Sequence, residues 1–434
     1  VGRGRCGRRG LGTRVVKPSP AYMLTSMAVE PDEPHSTAPR ATGPKTWAAG
    51  IPSVVRSFEH GLEQMGPVRT TQTLRNLNQV KGFDRPSCAW PDPDPESHKT
   101  AEFCESGVKA VAWEATTRTV GRSFFAAHSI AALQAQSEWW LGQQGRLTEP
   151  MYKRVGGTHY EPVGWDRANE IIVRHLRALP SPDDAAFYTS GRTSNEAAFL
   201  YQLMVRAYGT NNLPDCSNMC HESSGAALGE QIGIGKGAVT LNSLEHAELI
   251  VICGQNPGTN SPRMLTHLET AKRNGAIIVA VNPLPEAGLI RFKNPQNVRG
   301  LLGRGTPIAD DFLQLRLGGD HALFRALGHL LLQEESARAG SVVDRVFVDE
   351  HTSGYDAYVA AVRALDWDLP LRATGLRRAD IDPLARRLLD SKSTVLTWAM
   401  GLTPHAPAVP PIQEIVTTAE APPAEQAGSH AGAA

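Results

Sequence analysis

The sequence predicts an α/β fold of parallel sheets flanked by helices, and three observations carry that expectation. From residue 147 onward short β-rich runs alternate with longer segments of helical spacing, the order that βαβ units take along a chain. Residues 247–253 form a buried-strand run, continuous apolar from Leu249 to Cys253 and closed by the turn chemistry of Gly254-Gln255-Asn256-Pro257-Gly258. Residues 263–274 then have helical spacing, end on Gly275 as a cap, and lead into a second buried-strand run at 276–281 that stops at Asn282-Pro283. In open α/β sheets ligands sit at the carboxyl ends of strands, so the turns after 253 and 281 are the first places to look for a site.

The rest of the chain is read in order around that unit. Residues 1–50 carry Pro, Gly, Ser and Thr without hydrophobic period, a composition that does not offset its ordering entropy, and are expected to be disordered. Arg8-Arg9 has no apolar segment behind it and reads as terminus rather than export signal; Met23 and Met27 are alternative starts. Residues 51–80 regain apolar spacing and predict a helix or two, after which 81–95 packs prolines, Cys88 and Trp90 into irregular backbone. At the other end Pro410, Pro411, Pro422 and Pro423 precede an Ala/Gly/Ser tail with no apolar face to bury, and the fold is expected to stop there.

Composition bounds the function. With 434 residues, 44 basic and 44 acidic side chains, and 41% hydrophobic residues, the chain has a core to build and no net field to draw nucleic acid or anionic membrane. No apolar run approaches the roughly 18–20 residues of a membrane-spanning helix, so a soluble protein with no membrane span and no nucleic-acid partner is expected. Six cysteines in so long a chain are too few for a disulfide scaffold, which directs attention to metal binding and reactivity.

Cys216-Ser217-Asn218-Met219-Cys220-His221 is read as a loop between a helical segment, Asn195–Tyr208, and a glycine-rich stretch at 225–237. Cysteine beside histidine suits a soft metal or an activated nucleophile, since imidazolium lowers a neighbouring thiol's pKa. Two unrelated polar loop residues would look the same, and for structural zinc the segment offers three ligands where four are needed. Cys88 and Cys104 are by spacing an incomplete metal framework or two buried thiols. Gly233, Gly235 and Gly237 lack the third spacing of a dinucleotide fingerprint. Trp90, Trp139 and Trp140 read as core or rim aromatics, and Lys236, Arg291 and Lys293 as solvated charges.

A resemblance sharpens this. Gly145-Arg146-Leu147-Thr148-Glu149-Pro150-Met151-Tyr152-Lys153-Arg154, followed by Glu161-Pro162-Val163-Gly164-Trp165-Asp166-Arg167-Ala168, resembles the molybdopterin-dependent oxidoreductases of the formate dehydrogenase and nitrate reductase superfamily. The resemblance continues through Gly191-Arg192-Thr193-Ser194-Asn195-Glu196, Cys220-His221, Gly254-Gln255-Asn256-Pro257, 271–276, Gly318-Gly319-Asp320 and Trp398-Ala399-Met400-Gly401, covering roughly residues 80–418. Cys88-Ala89-Trp90-Pro91 and Phe103-Cys104-Glu105-Ser106-Gly107 are similar to the formate-dehydrogenase-like branch.

The resemblance implies a bis-molybdopterin guanine dinucleotide holding molybdenum, with Cys220 as the protein's sulfur ligand and His221 as the neighbouring proton acceptor. It implies that Gly254, Asn256, Pro257, Asn282, Gly319 and Asp320 contact one pterin dinucleotide and that His405 lies near the metal. It implies a [4Fe–4S] cluster, with Cys88 and Cys104 as candidate ligands and Lys109 on the electron path, serving a small-molecule substrate, an electron-transfer protein partner and a cytoplasmic enzyme. Three departures accompany it. Arg85 stands where a further cluster cysteine is expected; Asp382 stands where formate enzymes carry an arginine, and a carboxylate repels formate; and no segment matches the family's C-terminal barrel.

The division expected is a disordered segment 1–50, an N-terminal region 51–136 with a remnant iron–sulfur motif, a discontinuous first α/β domain at 137–215 and 376–418, a second, pterin-binding α/β domain at 216–375, and a disordered tail 419–434. The expected function is two-electron transfer at a Cys220-ligated molybdenum centre. The alternative is a truncated, non-catalytic α/β protein without a complete cofactor site; a second is a plain nucleotide-binding module using 254–258 alone.

Overall fold

The computed structural model describes residues 43–84, 90–99, 101–190, 193–214, 216–420 and 430–433, with only the backbone described at 216–219, 420 and 430–433. The expectation of disorder at 1–42, and Arg85 and Cys88, lie outside these residues. Residues 43–50 are built into the fold: Ala48–Ala49 pairs in parallel with Phe292–Lys293, and the Lys293 ammonium sits 3.8 Å from the Trp47 ring centre rather than as a solvated charge.

The helical stretch α1, Gly50–Asn76, is two helices that meet at a kink where Gly66 takes φ 71° and ψ 174° and Pro67 opens the second, since proline is tolerated in a first helical turn but breaks the ladder of a continuing one. It packs on α2, Glu105–Glu114, through Leu74, Leu77, Val108 and Val111. The irregular backbone expected over 81–95 holds for its described part, apart from a single turn that begins at Pro95. Helix α3, Trp165–Arg177, and helix α4, Asn195–Tyr208, follow; Ser194 caps α4 by accepting from the Ala197 N–H, and Gly209 ends it at φ 112°. Two extended stretches flank α4 and pair in parallel, the Phe187 N–H donating to the Asn212 carbonyl at 2.9 Å.

The structural centre is a five-stranded parallel sheet. Its strands are β1, Leu249–Cys253; β2, Ile277–Val281; β3, Asp311–Leu313; β4, Thr394–Trp398; and β5, His430–Ala433; their order is β5-β4-β1-β2-β3. The strands predicted at 247–253 and 276–281 therefore form at 249–253 and 277–281 and are neighbours in register, Leu249 against Ile277. All five residues of β1 are buried because both faces are covered, which is why the sequence there is continuous apolar rather than alternating. Val251, Cys253, Leu396 and Trp398 face one core with α7, Asp320–Ala337, α8, Arg378–Asp390, and α9, Val409–Glu420. Ile250, Ile252, Ile278 and Val395 face the other, with α6, Met264–Arg273.

Four expectations are corrected here. Cys220 and His221 lie in helix α5, Cys216–Ile232, not in a loop, and Gly225 and Gly229 are helical. Residues 409–420 have an apolar face after all: Ile412, Ile415, Val416 and Ala419 are buried in the core, and Pro410 and Pro411 sit in the first turn of α9, where a missing N–H costs no helical hydrogen bond. The segment 376–418, assigned to the first domain, puts β4 beside β1, because an apolar strand needs cover on both faces and this sheet supplies it. Within the tail, the backbone at 430–433 completes hydrogen bonds that the β4 edge would otherwise leave open. No described helix is long and apolar enough to cross a membrane.

Candidate functional site at the carboxyl edge of the sheet

The site is assembled where β1, β2 and β4 end. Gly254, directly after β1, takes φ 55°, and its N–H donates to the Val281 carbonyl at 2.9 Å. Its carbonyl accepts from the Gly401 N–H at 2.9 Å, so the turns after β1 and β4 touch backbone to backbone. A Cβ on Gly254 would meet Leu402 at 2.6 Å and Gly401 at 2.9 Å, and one on Gly401 would meet the Gly254 oxygen at 2.3 Å; glycine is required on both sides. Asn282, after β2, is buried and donates from Nδ2 to the Gln255 carbonyl at 3.0 Å, while Gln255 Oε1 accepts from Thr397 Oγ1 at 3.1 Å.

Helix α5 is tied to the same edge. Ser223 Oγ donates to the Thr403 carbonyl at 3.1 Å, and the Trp398 indole N–H donates to Ser224 Oγ at 3.0 Å. Those bonds hold the helical turn carrying Cys220 and His221 against the β4–α9 connection that carries His405. His221 Nδ1 is buried without a hydrogen-bond partner, and burial lowers its imidazole pKa below the ordinary 6.5, leaving a neutral ring at pH 7. Cys220 is half-buried.

Asp320 opens α7 at the same edge. Burial raises its carboxyl above the usual range, against the lowering pull of its own backbone hydrogen bond and of His405. Complete burial pushes the Cys253 thiol well above its ordinary 9.0, and the Asp320 charge adds to that, so Cys253 is an inert core thiol despite adjoining the site.

The predicted residues Cys220, His221, Gly254, Asn282, Asp320 and His405 are thus drawn to one edge. Three others have more to do with architecture. Asn256 has both ends of its amide engaged, donating to Glu286 Oε2 at 2.6 Å and accepting from the Thr259 N–H at 3.2 Å. Pro257 is buried in the first position of the short helix that Asn256 caps. Gly319 packs so closely that a Cβ would meet Thr374 at 3.0 Å. Sequence reasoning missed Ser223, Ser224 and Thr403, and it missed the bond of Gln255 to Thr397 although Gln255 lies in the predicted turn; these partners lie as much as 180 positions apart, and no local pattern pairs them.

Cys104 lies elsewhere, capping α2 by accepting from the Gly107 N–H at 3.3 Å. Lys109 is paired with Glu105 at 2.8 Å. Among the described residues no three His, Cys, Asp or Glu side chains converge as a metal set. Asp382 is paired with Arg378 Nε at 2.5 Å and is therefore a neutralised carboxylate, not a bare one. Trp90 joins the rim of the second core, its ring 5.8 Å from His267, whereas Trp139 is half exposed.

The chain belongs to the molybdopterin oxidoreductases: the family model described as molybdopterin oxidoreductase matches residues 146–407. Over 380 residues the chain is 59% identical to an uncharacterized oxidoreductase of Mycobacterium tuberculosis, covering 88% of this chain and 48% of that protein. It is 29% identical over 279 residues to formate dehydrogenase H of Escherichia coli, covering 63% of this chain and 36% of the relative. Among solved structures, acetylene hydratase from Pelobacter acetylenicus matches with a TM-score of 0.50 and 16% identity over 61% of this chain and 33% of that one, a likeness of fold alone. The chain therefore spans about half the length of the mycobacterial relative it matches.

Proposed function

We propose that this chain binds molybdenum as a bis-molybdopterin guanine dinucleotide, with Cys220 as the protein ligand, and serves a formate-dehydrogenase-like two-electron oxidation or reduction of a small molecule in the cytoplasm. The observation that carries the reading is the fixing of the Cys220–His221 turn at the carboxyl edge of the sheet by the Ser223–Thr403 and Ser224–Trp398 bonds. The residues present suit the group: a soft sulfur donor, and an imidazole nitrogen that is buried and unsatisfied within the protein. When bound, the molybdenum–pterin group supplies the two-electron chemistry.

The chain's own residues do the rest. Cys220 would hold the metal through its sulfur. His221, kept neutral by burial and with Nδ1 free of protein partners, would be able to accept a proton from the substrate, the state a general base requires. Backbone N–H groups around Gly254 and Asn256, the Asn282 strand end and the Gly319-Asp320 helix start would bind the polar dinucleotide, with His405 beside Asp320. Cys88 and Cys104 are the candidate ligands of a [4Fe–4S] cluster handing electrons to a protein partner. Formate itself is not favoured as substrate, since Asp382 stands at the position matched to the family's arginine and supplies no cation of its own there.

The test is to purify the chain anaerobically from a host that makes molybdopterin and to measure molybdenum, iron and released pterin per polypeptide. Near-stoichiometric molybdenum with pterin is expected, with Cys220→Ala losing the metal while circular dichroism stays unchanged. Folded protein without metal or pterin overturns the reading in favour of a non-catalytic α/β protein.

A further inference from the structure

Beside α6 the described structure holds a cavity of about 840 Å³, within the size range of small-molecule sites. It is walled by α1 through Val54 and Phe58, by the irregular stretch carrying Asp94, Lys99 and Glu102, by the short helix Leu241–His246, and by α6 through Leu265 and His267. None of the residues assigned above to molybdenum or the dinucleotide lines it; Cys104 does, but on the stretch 101–106 rather than on α6. His267 is the acid–base group of the cavity. Its side chain is 13% exposed, its Nδ1 lies 2.7 Å from Glu245 Oε1, and no partner meets its Nε2 among the described residues. A carboxylate only accepts, so Glu245 fixes the proton of the neutral ring on Nδ1 and leaves Nε2 as an acceptor. Glu245 is held in turn by Asn274, whose Nδ2 donates to its backbone carbonyl at 2.8 Å.

The charges nearby decide what kind of donor suits that acceptor. Arg263 lies 2.5 Å from Asp92, Lys109 pairs with Glu105 at 2.8 Å, and Glu102 stands 3.0 Å from His98, so most of the charge on these walls is matched within the protein. An organic ammonium would sit beside Lys99 and Arg263, the two cations whose fields already act on His267. A carboxylate would face Glu245 and, ionised at neutral pH, would bring Nε2 no proton. A neutral hydroxyl meets neither objection: its O–H donates to Nε2, and its oxygen can accept from the Lys99 ammonium, which has no ion pair among the described residues. Val54, Phe58, Leu265 and Phe292 give the rest of the cavity an apolar, partly aromatic surface that suits a ring. We propose that this cavity binds a small neutral aromatic alcohol of the phenol or naphthol class, its hydroxyl donating to His267 Nε2 and its ring lying against the α1 and α6 walls. Glu245 is the positioning residue, acting through the imidazole.

Isothermal titration of the 434-residue chain with 1-naphthol is expected to show saturable binding at one site. The methyl ether 1-methoxynaphthalene keeps the ring and loses the donor, and is expected to bind about tenfold more weakly, the cost of leaving one buried acceptor unmet. His267→Leu should abolish that preference for the naphthol over its ether, a readout that a merely structural loss would not give. Lys99→Met, at an exposed position, and Val54→Trp, which fills the α1 wall, should each weaken naphthol binding about tenfold; should His267→Leu fold poorly, these two decide. Leu369→Ala, exposed and outside the cavity, should leave binding unchanged. No saturation up to the solubility limit of the naphthol, equal affinity for its ether, or binding unaffected by both Lys99→Met and Val54→Trp overturns the proposal. The titration reads neither metal nor turnover, so its failure and that of the molybdenum reading are separate.

Discussion

Gly254 and Gly401 show how closely two loops must approach to make the site. Gly254→Ala places a methyl group into Leu402 and Gly401 at a backbone angle that L side chains avoid, and should cost about 1–3 kcal/mol in urea unfolding. Cys253 lies one residue before it but is chemically silent. At pH 8 a thiol reagent should label native wild type and Cys253→Ala equally, with the variant lower by one only after unfolding; a lower native count in the variant would contradict the burial that raises this thiol. His267 supplies the pH dependence. Burial lowers its pKa below 6.5 although Glu245, at 2.7 Å, pulls the other way. The unfolded chain therefore binds the proton first as pH falls through 6.5, so the folded state loses stability from there down to the folded pKa. His267→Gln should show a smaller acid-side loss in that window and no change in slope above it.

The elements that differed from expectation did so for two reasons. The start of α5 is rich in Ser, Asn and Cys, residues that favour turns in isolation, and only the tertiary bonds from Ser223 and Ser224 to the β4 side fix that turn as helix against the sheet. The prolines before α9 looked like a terminator and are an initiator, since proline is tolerated in the first helical turn. Ile412, Ile415 and Val416 have helical spacing, but a stretch that short between prolines and a polar tail is a weak local signal, and burial against the sheet is what fixes it as helix. The burial of α9 predicts that Ile415→Ala, at a fully buried position, costs about 2–5 kcal/mol by chemical denaturation. A change below about 0.5 kcal/mol would mean that α9 is peripheral.

Across the whole molecule, stability should be uneven. Strands β1, β2 and β4 lie between two cores, whereas α3 and α4 each bury a single side chain, Ile171 and Val205. Native hydrogen exchange of the chain alone should therefore be slowest in the three strands and at least a hundredfold faster in α3 and α4. Uniform protection would show that 165–208 is stabilised by contacts within this chain. The parallel α/β class, strands β1 and β2 within a residue or two, the helix between them and the turns of the candidate site are legible in the chain, because continuous apolar runs and glycine or proline punctuation are local signals. Cys220 and His221 stand out as an adjacent thiol and imidazole, and the family resemblance gave them roles and added the more distant candidates Asp320 and His405. That β4 joins β1, that Gly254 touches Gly401, and that Ser223, Ser224 and Thr403 hold the cysteine turn in place depend on tertiary contacts. Those are pairings across about 140 to 180 residues, and their energy exists only when both partners are brought together.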